Sequence, residues 1–247
     1  MSVEVFDQLA LLAEETPRVF VTLLGMFAVT VAGQPAKWKG NGAGRRQLKR
    51  AFAYLIAHLG EPVSYETLLE TAGGRSGKSR KHVWNGVQTM LRSWGMEDAL
   101  IVREHRMTLR RHPSWQSDAD RLRELSGAAA QAHEREQLDQ AIALMEAAGA
   151  LCGGRYLQLF EHDLDLALEG DAGLWHDEQK QVFKALAQWL LERAAPGDAK
   201  KAYQAAQIAL RFDRYDWSCC EIVIVAARQF GNEELARRYE EKLRRMK

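Results

Sequence analysis

Cysteine is scarce in this 247-residue chain: Cys152, Cys219 and Cys220 are the only ones, with no Cys-x-x-Cys pair. That scarcity excludes a disulfide framework and a cysteine-built zinc site, and it fits a reducing cytoplasm. The adjacent Cys219-Cys220 reads as small core filler in an apolar helical stretch. Five prolines and nineteen glycines are too few for collagen-like or linker-dominated sequence. No apolar run nears the roughly 20 residues of a membrane helix; the run around Ile222 to Ala227 falls far short of it. The opening MSVEVFDQLALLAEET carries Glu4, Asp7, Glu14 and Glu15 and no basic n-region, so it is not a secretory signal. The seven histidines form no H-x-x-x-H or H-E-x-x-H, and no G-x-S-x-G occurs. His162, Asp163 and Asp165 cluster, but in a stretch that reads as a solvated loop. His58 suits a helix C-terminus. Trp175 and Trp189 suit core packing. The expectation is a cytoplasmic protein that is not an enzyme, with no catalytic residue, no metal, no cofactor and no membrane partner.

What is present is a packed, soluble composition, 47% hydrophobic and 27% charged, with a net charge of +1 that turns out to be a cancellation. Residues 1–16 carry −4, residues 17–112 carry +10 from sixteen Lys+Arg against six acids, and residues 113–247 carry −5. The expected organisation is an acidic leader (1–16), a basic module (17–112) and an acidic module (113–247), the last two with different partners.

In the basic module VFVTLLG and FAVTVAG are β-branched runs closed by Gly33-Gln34-Pro35, and AKWK is expected as a short third strand. RRQLKRAFAYLIAHLG places Leu48, Phe52, Leu55 and Ile56 at helical spacing, stopped by Gly60. Ser64 opens a second helix with Leu68 and Leu69 buried, ending at Gly73-Gly74. GGRSGKS links it to a third helix, SRKHVWNGVQTMLRSWG, and ALIVR and RMTLRR flank Glu104-His105 as a tight hairpin. The order β-β-β-α-α-α-β-β is an α+β winged helix with an N-terminal sheet.

On the third helix Val83, Val87, Met90 and Trp94 form the buried stripe, and at about 100° per residue Lys81, Asn85, Gln88 and Arg92 lie opposite. Asn and Gln pair bidentately with adenine, and Arg with guanine or phosphate, so this face suits a major groove. An ordinary solvated face has the same pattern. Its place before a basic hairpin, in a segment of charge +10, favours DNA. Arg103, His105 and Arg106 would form the wing. Arg45 and Arg46 open the first helix, where cations oppose the helix dipole and a phosphate neighbour, or plain solvation, would account for them.

Ala72–Ser79, AGGRSGKS, matches a relaxed phosphate-loop pattern, but SYETLLET before it is helical, whereas a phosphate cradle follows a buried strand. It reads as a linker between helices.

From Asp118 onward Ala-rich helical periodicity takes over, with helices expected at 118–132, 136–151, 173–194, 198–211, 217–229 and 232–246. Gly197 and Gly231, Ala202 and Ala236, and Phe183 and Trp217 (expected at helix starts) are each 34 residues apart, the tetratricopeptide period. An all-α repeat domain offering a concave surface is expected.

Several stretches together resemble the SARP-type regulators, an OmpR-type winged helix joined to a bacterial transcriptional activator domain: VTLLGMFAVTVAGQPA, GRRQLKRAFAYLIAHLGEPVSYETLLE, SDADRLREL, RYLQLF, GLWHDEQKQVFKALAQWLLER and ALRFDRYDWSCCEIVIVAARQFGNEELARRYEEKLRRM. The resemblance implies binding to double-stranded direct-repeat promoter DNA, usually as a side-by-side dimer, and recruitment of RNA polymerase. It implies a recognition helix over Arg80–Arg92, a wing at Arg103–Arg106 and a polymerase-facing loop at Gly73–Ser79. The chain departs from the family at Thr71–Gly74, where an Ala-Leu-Trp-Gly stretch is usual, and at Gln88–Arg92, in place of an Arg-rich run. The expected function is sequence-specific transcription regulation, with activation expected, the helical repeats serving a homodimer or a regulatory protein. The alternative is an adaptor that acts through protein–protein contacts with little or no promoter recognition.

Overall fold

Val19–Thr22 (β1) and Ala28–Val31 (β2) are the two β-branched runs, paired antiparallel with Val19 opposite Val31 and Thr22 opposite Ala28. The computed structural model describes residues 18–73, 77–158 and 165–246, with 77–81 and 165–171 by their backbone alone. The expected leader 1–16, His162, Asp163 and part of the linker between helices two and three lie outside the described residues. Gln34–Pro35 (β3) folds back on β2 across Ala32-Gly33, both at positive φ (49° and 73°), as a two-residue hairpin turn requires. The third strand is therefore Gln34–Pro35 and not AKWK. After Ala36 the chain leaves the sheet edge because the Trp38 indole gains more by burial. It packs 5.6 Å from Trp94, 6.0 Å from Phe52 and 6.2 Å from Phe27.

Helix α1 spans Gly42–Ala57, α2 Tyr65–Thr71 and α3 Gly77–Trp94. Leu48, Phe52, Leu55 and Ile56 of α1, Leu68 and Leu69 of α2, and Val83, Val87, Met90 and Trp94 of α3 are all buried, as the spacings predict. Ser64 caps α2 by accepting from the Thr67 N–H. A second sheet, absent from the expected order in one strand, joins Val63–Ser64 (β4) to Arg106–Leu109 (β6), which pairs with Leu100–Arg103 (β5). Strand β4 is two residues long, too short for any periodicity to reveal. Three helices and a β5–β6 hairpin make the winged helix.

Trp115–Ser117 (β7) adds to the free edge of β1 in parallel, giving the order β3-β2-β1-β7. Asp118, 3% exposed, then turns its carboxylate back on the end of β1 and accepts from the N–H groups of Leu23 (2.7 Å) and Leu24 (2.9 Å). Residues 154–158 return to the same place: Tyr156 bridges Leu24, and the N–H groups of Leu157 and Gln158 donate to Leu23 and Gly25 carbonyls. At Gly154 a Cβ would come within 3.4 Å of the Gly25 backbone, so the approach is close. Among the described residues the chain thus divides into two compact units, one holding residues 18–118 and 154–158 with the start of the helix that follows, the other residues 119–153 and 173–246.

The second unit is all helix. Helices α4 (Asp118–Glu134), α5 (Leu138–Leu151), α6 (Asp165–Arg193), α7 (Asp198–Phe212), α8 (Trp217–Gln229) and α9 (Glu233–Arg245) follow in order. Gly197 and Gly231 take left-handed φ (89° and 81°) before α7 and α9, and Ala202 and Ala236 are fully buried one turn on. The 34-residue period is structural. Helix α6 begins at Asp165, eight residues before the expected start, so Phe183 lies inside it and not at a helix start; Trp217 does open α8. Leu and Ala carry the helix through Gly170 and Gly173, each of which costs only about 1 kcal/mol.

Buried charge in this unit is paired. Asp198, 3% exposed, accepts from the Arg193 guanidinium at 2.7 and 2.8 Å and from the Ala195 N–H at 3.1 Å, while Arg193 also reaches Asp139 at 2.9 Å. The Arg193 hydrogen bonds hold the Asp198 carboxyl below its ordinary range against the opposing effect of burial. Cys219 and Cys220 are fully buried, and burial, then Asp216, pushes the Cys219 thiol up to about 12, so it is no nucleophile.

Two predictions follow from these carboxylates. Asp118→Ala leaves two buried N–H groups without their acceptor and lowers stability by about 3 kcal/mol, read as a shift in urea midpoint at constant slope. Because the Asp198 pKa is lowered on folding, its contribution is present above the unfolded carboxyl pKa and is lost as pH falls through the folded value. The urea midpoint therefore falls between pH 5 and pH 3 more steeply in the wild type than in Asp198→Asn, which is the less stable at pH 7.

Candidate nucleic-acid interface

Helix α3 owes its seat to a missing side chain. A Cβ at Gly86 would lie 2.4 Å from Leu48 Cδ2, so α1 and α3 meet where α3 has no side chain to offer. The buried stripe then fixes rotation about the helix axis. Asn85 and Arg92 are exposed and Gln88 half-buried on the far side. Lys81 lies on α3, but its side chain is outside the described residues.

Both neighbours of this face are held against α3. The His82 ring packs on the start of α1, where a Cβ on Gly44 would stand 2.7 Å from His82 Nε2. Arg45 and Arg46 follow Gly44 directly, and both are exposed. On the other flank the Tyr65 and Trp84 rings meet edge to face at 4.9 Å. The Tyr65 N–H donates to the His105 carbonyl at 2.9 Å, tying the hairpin tip to the start of α2. Glu104 and His105 both take positive φ (46° and 61°), the geometry of a tight two-residue turn, and Arg103, His105 and Arg106 are exposed around it. The α1 start, the α3 face and the wing are thus linked through His82 on one side and Tyr65–Trp84 on the other.

The three linking residues were not among the candidate residues read from sequence. A glycine-rich helix start (Gly40, Gly42, Gly44) is the one sequence sign of the close approach to His82. Nothing in the sequence pairs Tyr65 with Trp84, which are brought together by the packing of α2 on α3.

Among the described residues Arg45, Arg46, Arg92, Arg103 and Arg106 enter no ion pair, and the amides of Asn85 and Gln88 have no hydrogen-bond partner. In the helical unit some cations are matched, Arg123 with Glu178 (2.6 Å), Lys180 with Asp177, Asp213 and Asp216 (3.4–3.7 Å), Arg193 with Asp198, Lys201 with Glu146 (3.3 Å) and Arg228 with Glu240, and others, among them Arg135, Arg211, Arg214, Arg237 and Arg238, are not. Unneutralised cations around a helix that presents amides form a surface suited to an anionic polymer.

The segment Ala72–Ser79 has helix α2 before it and helix α3 from Gly77, so the strand a phosphate cradle needs is not there. Among the described residues no group of three or more His, Cys, Asp or Glu is placed to hold a metal ion, and no helix is long and apolar enough to cross a membrane.

No protein-family model matches the chain, and no curated protein matches it in sequence. Among solved structures, Mycobacterium tuberculosis EmbR in complex with a low-affinity phosphopeptide superposes on 92% of this chain with a TM-score of 0.74 at 16% identity. The chain spans 59% of the length of that EmbR chain. At this identity the likeness is one of fold: a winged helix followed by an all-helical repeat domain, the arrangement implied by the sequence resemblance.

The seating of α3 gives a test of its own. Gly86→Ala drives a methyl into the fully buried Leu48 and costs about 2 kcal/mol, and Leu48→Ala in the same chain recovers part of that loss, a non-additivity that thermal unfolding of the four variants measures.

Proposed function

We propose that this chain is a sequence-specific, DNA-binding transcription regulator of the SARP type, its winged helix (within 17–112) reading double-stranded DNA and its helical repeats (within 113–247) serving a protein partner. The observation that carries the proposal is the gathering of unpaired arginines on the elements that flank the exposed α3 amides. Among the described residues Arg45, Arg46, Arg92, Arg103 and Arg106 enter no ion pair, and they stand at the α1 start, the end of α3 and the wing beside the free amides of Asn85 and Gln88. Leaving five guanidinium groups unmatched gains nothing for folding and suits phosphate contact. In this reading Asn85, Gln88 and Arg92, with Lys81, enter the major groove. Arg103, His105 and Arg106 reach the flanking backbone or minor groove from the wing, and Arg45 and Arg46 meet phosphates at the α1 start. Activation through RNA polymerase and a side-by-side homodimer are part of the proposal, since they belong to the family that the sequence resembles.

The low-affinity phosphopeptide in the neighbouring structure is EmbR's partner. For the present chain the helical repeats are proposed as the surface for a regulatory protein or the second subunit. An adaptor without promoter recognition is the competing reading, favoured by the small share of arginine on the α3 face.

The test is duplex binding as a function of salt. Affinity falls linearly in log–log form with salt, and Arg92→Ala and Arg106→Ala each weaken binding and lower the slope by about one. Binding that is absent at low salt, together with capture of one stoichiometric protein partner, would establish the adaptor instead.

A further inference from the structure

We infer that the α3 face selects A·T base pairs at the centre of its DNA site, an inference that rests on the DNA-binding reading above. The central turn of the face holds two amides and two apolar groups, and its cations stand at either end. Asn85 and Gln88 are three residues apart, about 4.5 Å along the helix axis, between one and two times the roughly 3.4 Å rise per base pair, so the two amides reach different base pairs. Each unpaired amide presents one donor and one acceptor, the complement of adenine N7 and the N6 amino group.

The neighbours of these amides complement the opposite base. Thr89 donates its hydroxyl proton to the Asn85 carbonyl at 2.6 Å, so that proton is committed within the helix and its methyl is the group left for an apolar contact. Trp84, four residues before Gln88, is half-buried and held edge to face by Tyr65 at 4.9 Å, a fixed apolar surface at the margin of the same face. An apolar surface in the major groove has one specific target, the thymine 5-methyl group. Guanine recognition in that groove depends on Arg or Lys reaching O6 and N7, and the nearest cations are Lys81, one turn before Asn85, and Arg92, one turn beyond Gln88. Amides for adenine together with methyl-seeking groups for thymine, on one turn without a cation, define A·T pairs at the centre and cation contacts outside them.

The experiment is selection of a randomised duplex library with the full chain at fixed salt, followed by chemical editing of the selected duplex. The expected motif has two or three A·T pairs at its core. Replacing core adenine by 7-deazaadenine removes the N7 acceptor, and replacing core thymine by uracil removes the methyl. Each is expected to weaken wild-type binding about five- to tenfold. Asn85→Ala with Gln88→Ala abolishes the sensitivity to deazaadenine, and Trp84→Ala reduces the sensitivity to uracil. The edited duplexes are read with unaltered protein, so a folding defect in a variant cannot mimic the result. A G·C core, or indifference to both base edits, overturns the inference while the DNA-binding reading stands. Failure to bind any duplex at low salt overturns both.

Discussion

The carboxylate of Asp118 is the contact on which the winged-helix unit depends. A buried charge must be matched by donors, and here the donors are the Leu23 and Leu24 N–H groups, which lie beyond the last rung of the β1–β2 ladder. The carbonyls of the same short stretch accept from Leu157 and Gln158. Residues 23–25 are thereby satisfied by two segments about 95 and 134 residues away in the chain, and β1 is fixed at the centre of its sheet. Phe27 then packs on Trp38, and Trp38 on Phe52 of α1 and Trp94 of α3. The position of α3, and with it the side chains it presents, follows from that packing.

Some charges hold helices together and others project outward. In the helical unit Asp198 and Arg193 form a closed network in which each charge has a partner within 3 Å, and Asp216 both caps α8 and faces Lys180 and Lys184. Such pairs hold one helix to the next. Around α3 the arginines project from ends and edges: the first turn of α1, the far end of α3 and the hairpin tip. Unpaired cations on neighbouring elements raise the positive potential of the surface they share.

Much of this was legible in sequence because it rests on local period. Val83, Val87, Met90 and Trp94 repeat at helical spacing, and all are buried; the charge split at the module boundary follows from counting. The Ala202–Ala236 and Gly197–Gly231 pairs are legible because close helix packing demands small residues and a left-handed turn demands glycine. What escaped the period depends on partners distant in the chain. A two-residue strand such as β4 has no pattern, and β7 is strand only because β1 offers an open edge. Trp38 was assigned to a strand by its neighbours and was drawn into an aromatic cluster whose other members lie up to 56 residues away.

The sequence alone therefore determined which faces are apolar, where the helices run, how charge divides between the modules, and which side chains on α3 are free of the core, since these are consequences of spacing and composition. Tertiary structure decided which of those side chains share a surface. His82 meets α1 only because Gly40 and Gly44 leave room, and Trp84 meets Tyr65 only because α2 packs on α3. The wing stands beside them because the His105 carbonyl accepts from Tyr65. Each of these contacts joins residues from different elements, and no periodicity within one element can encode it.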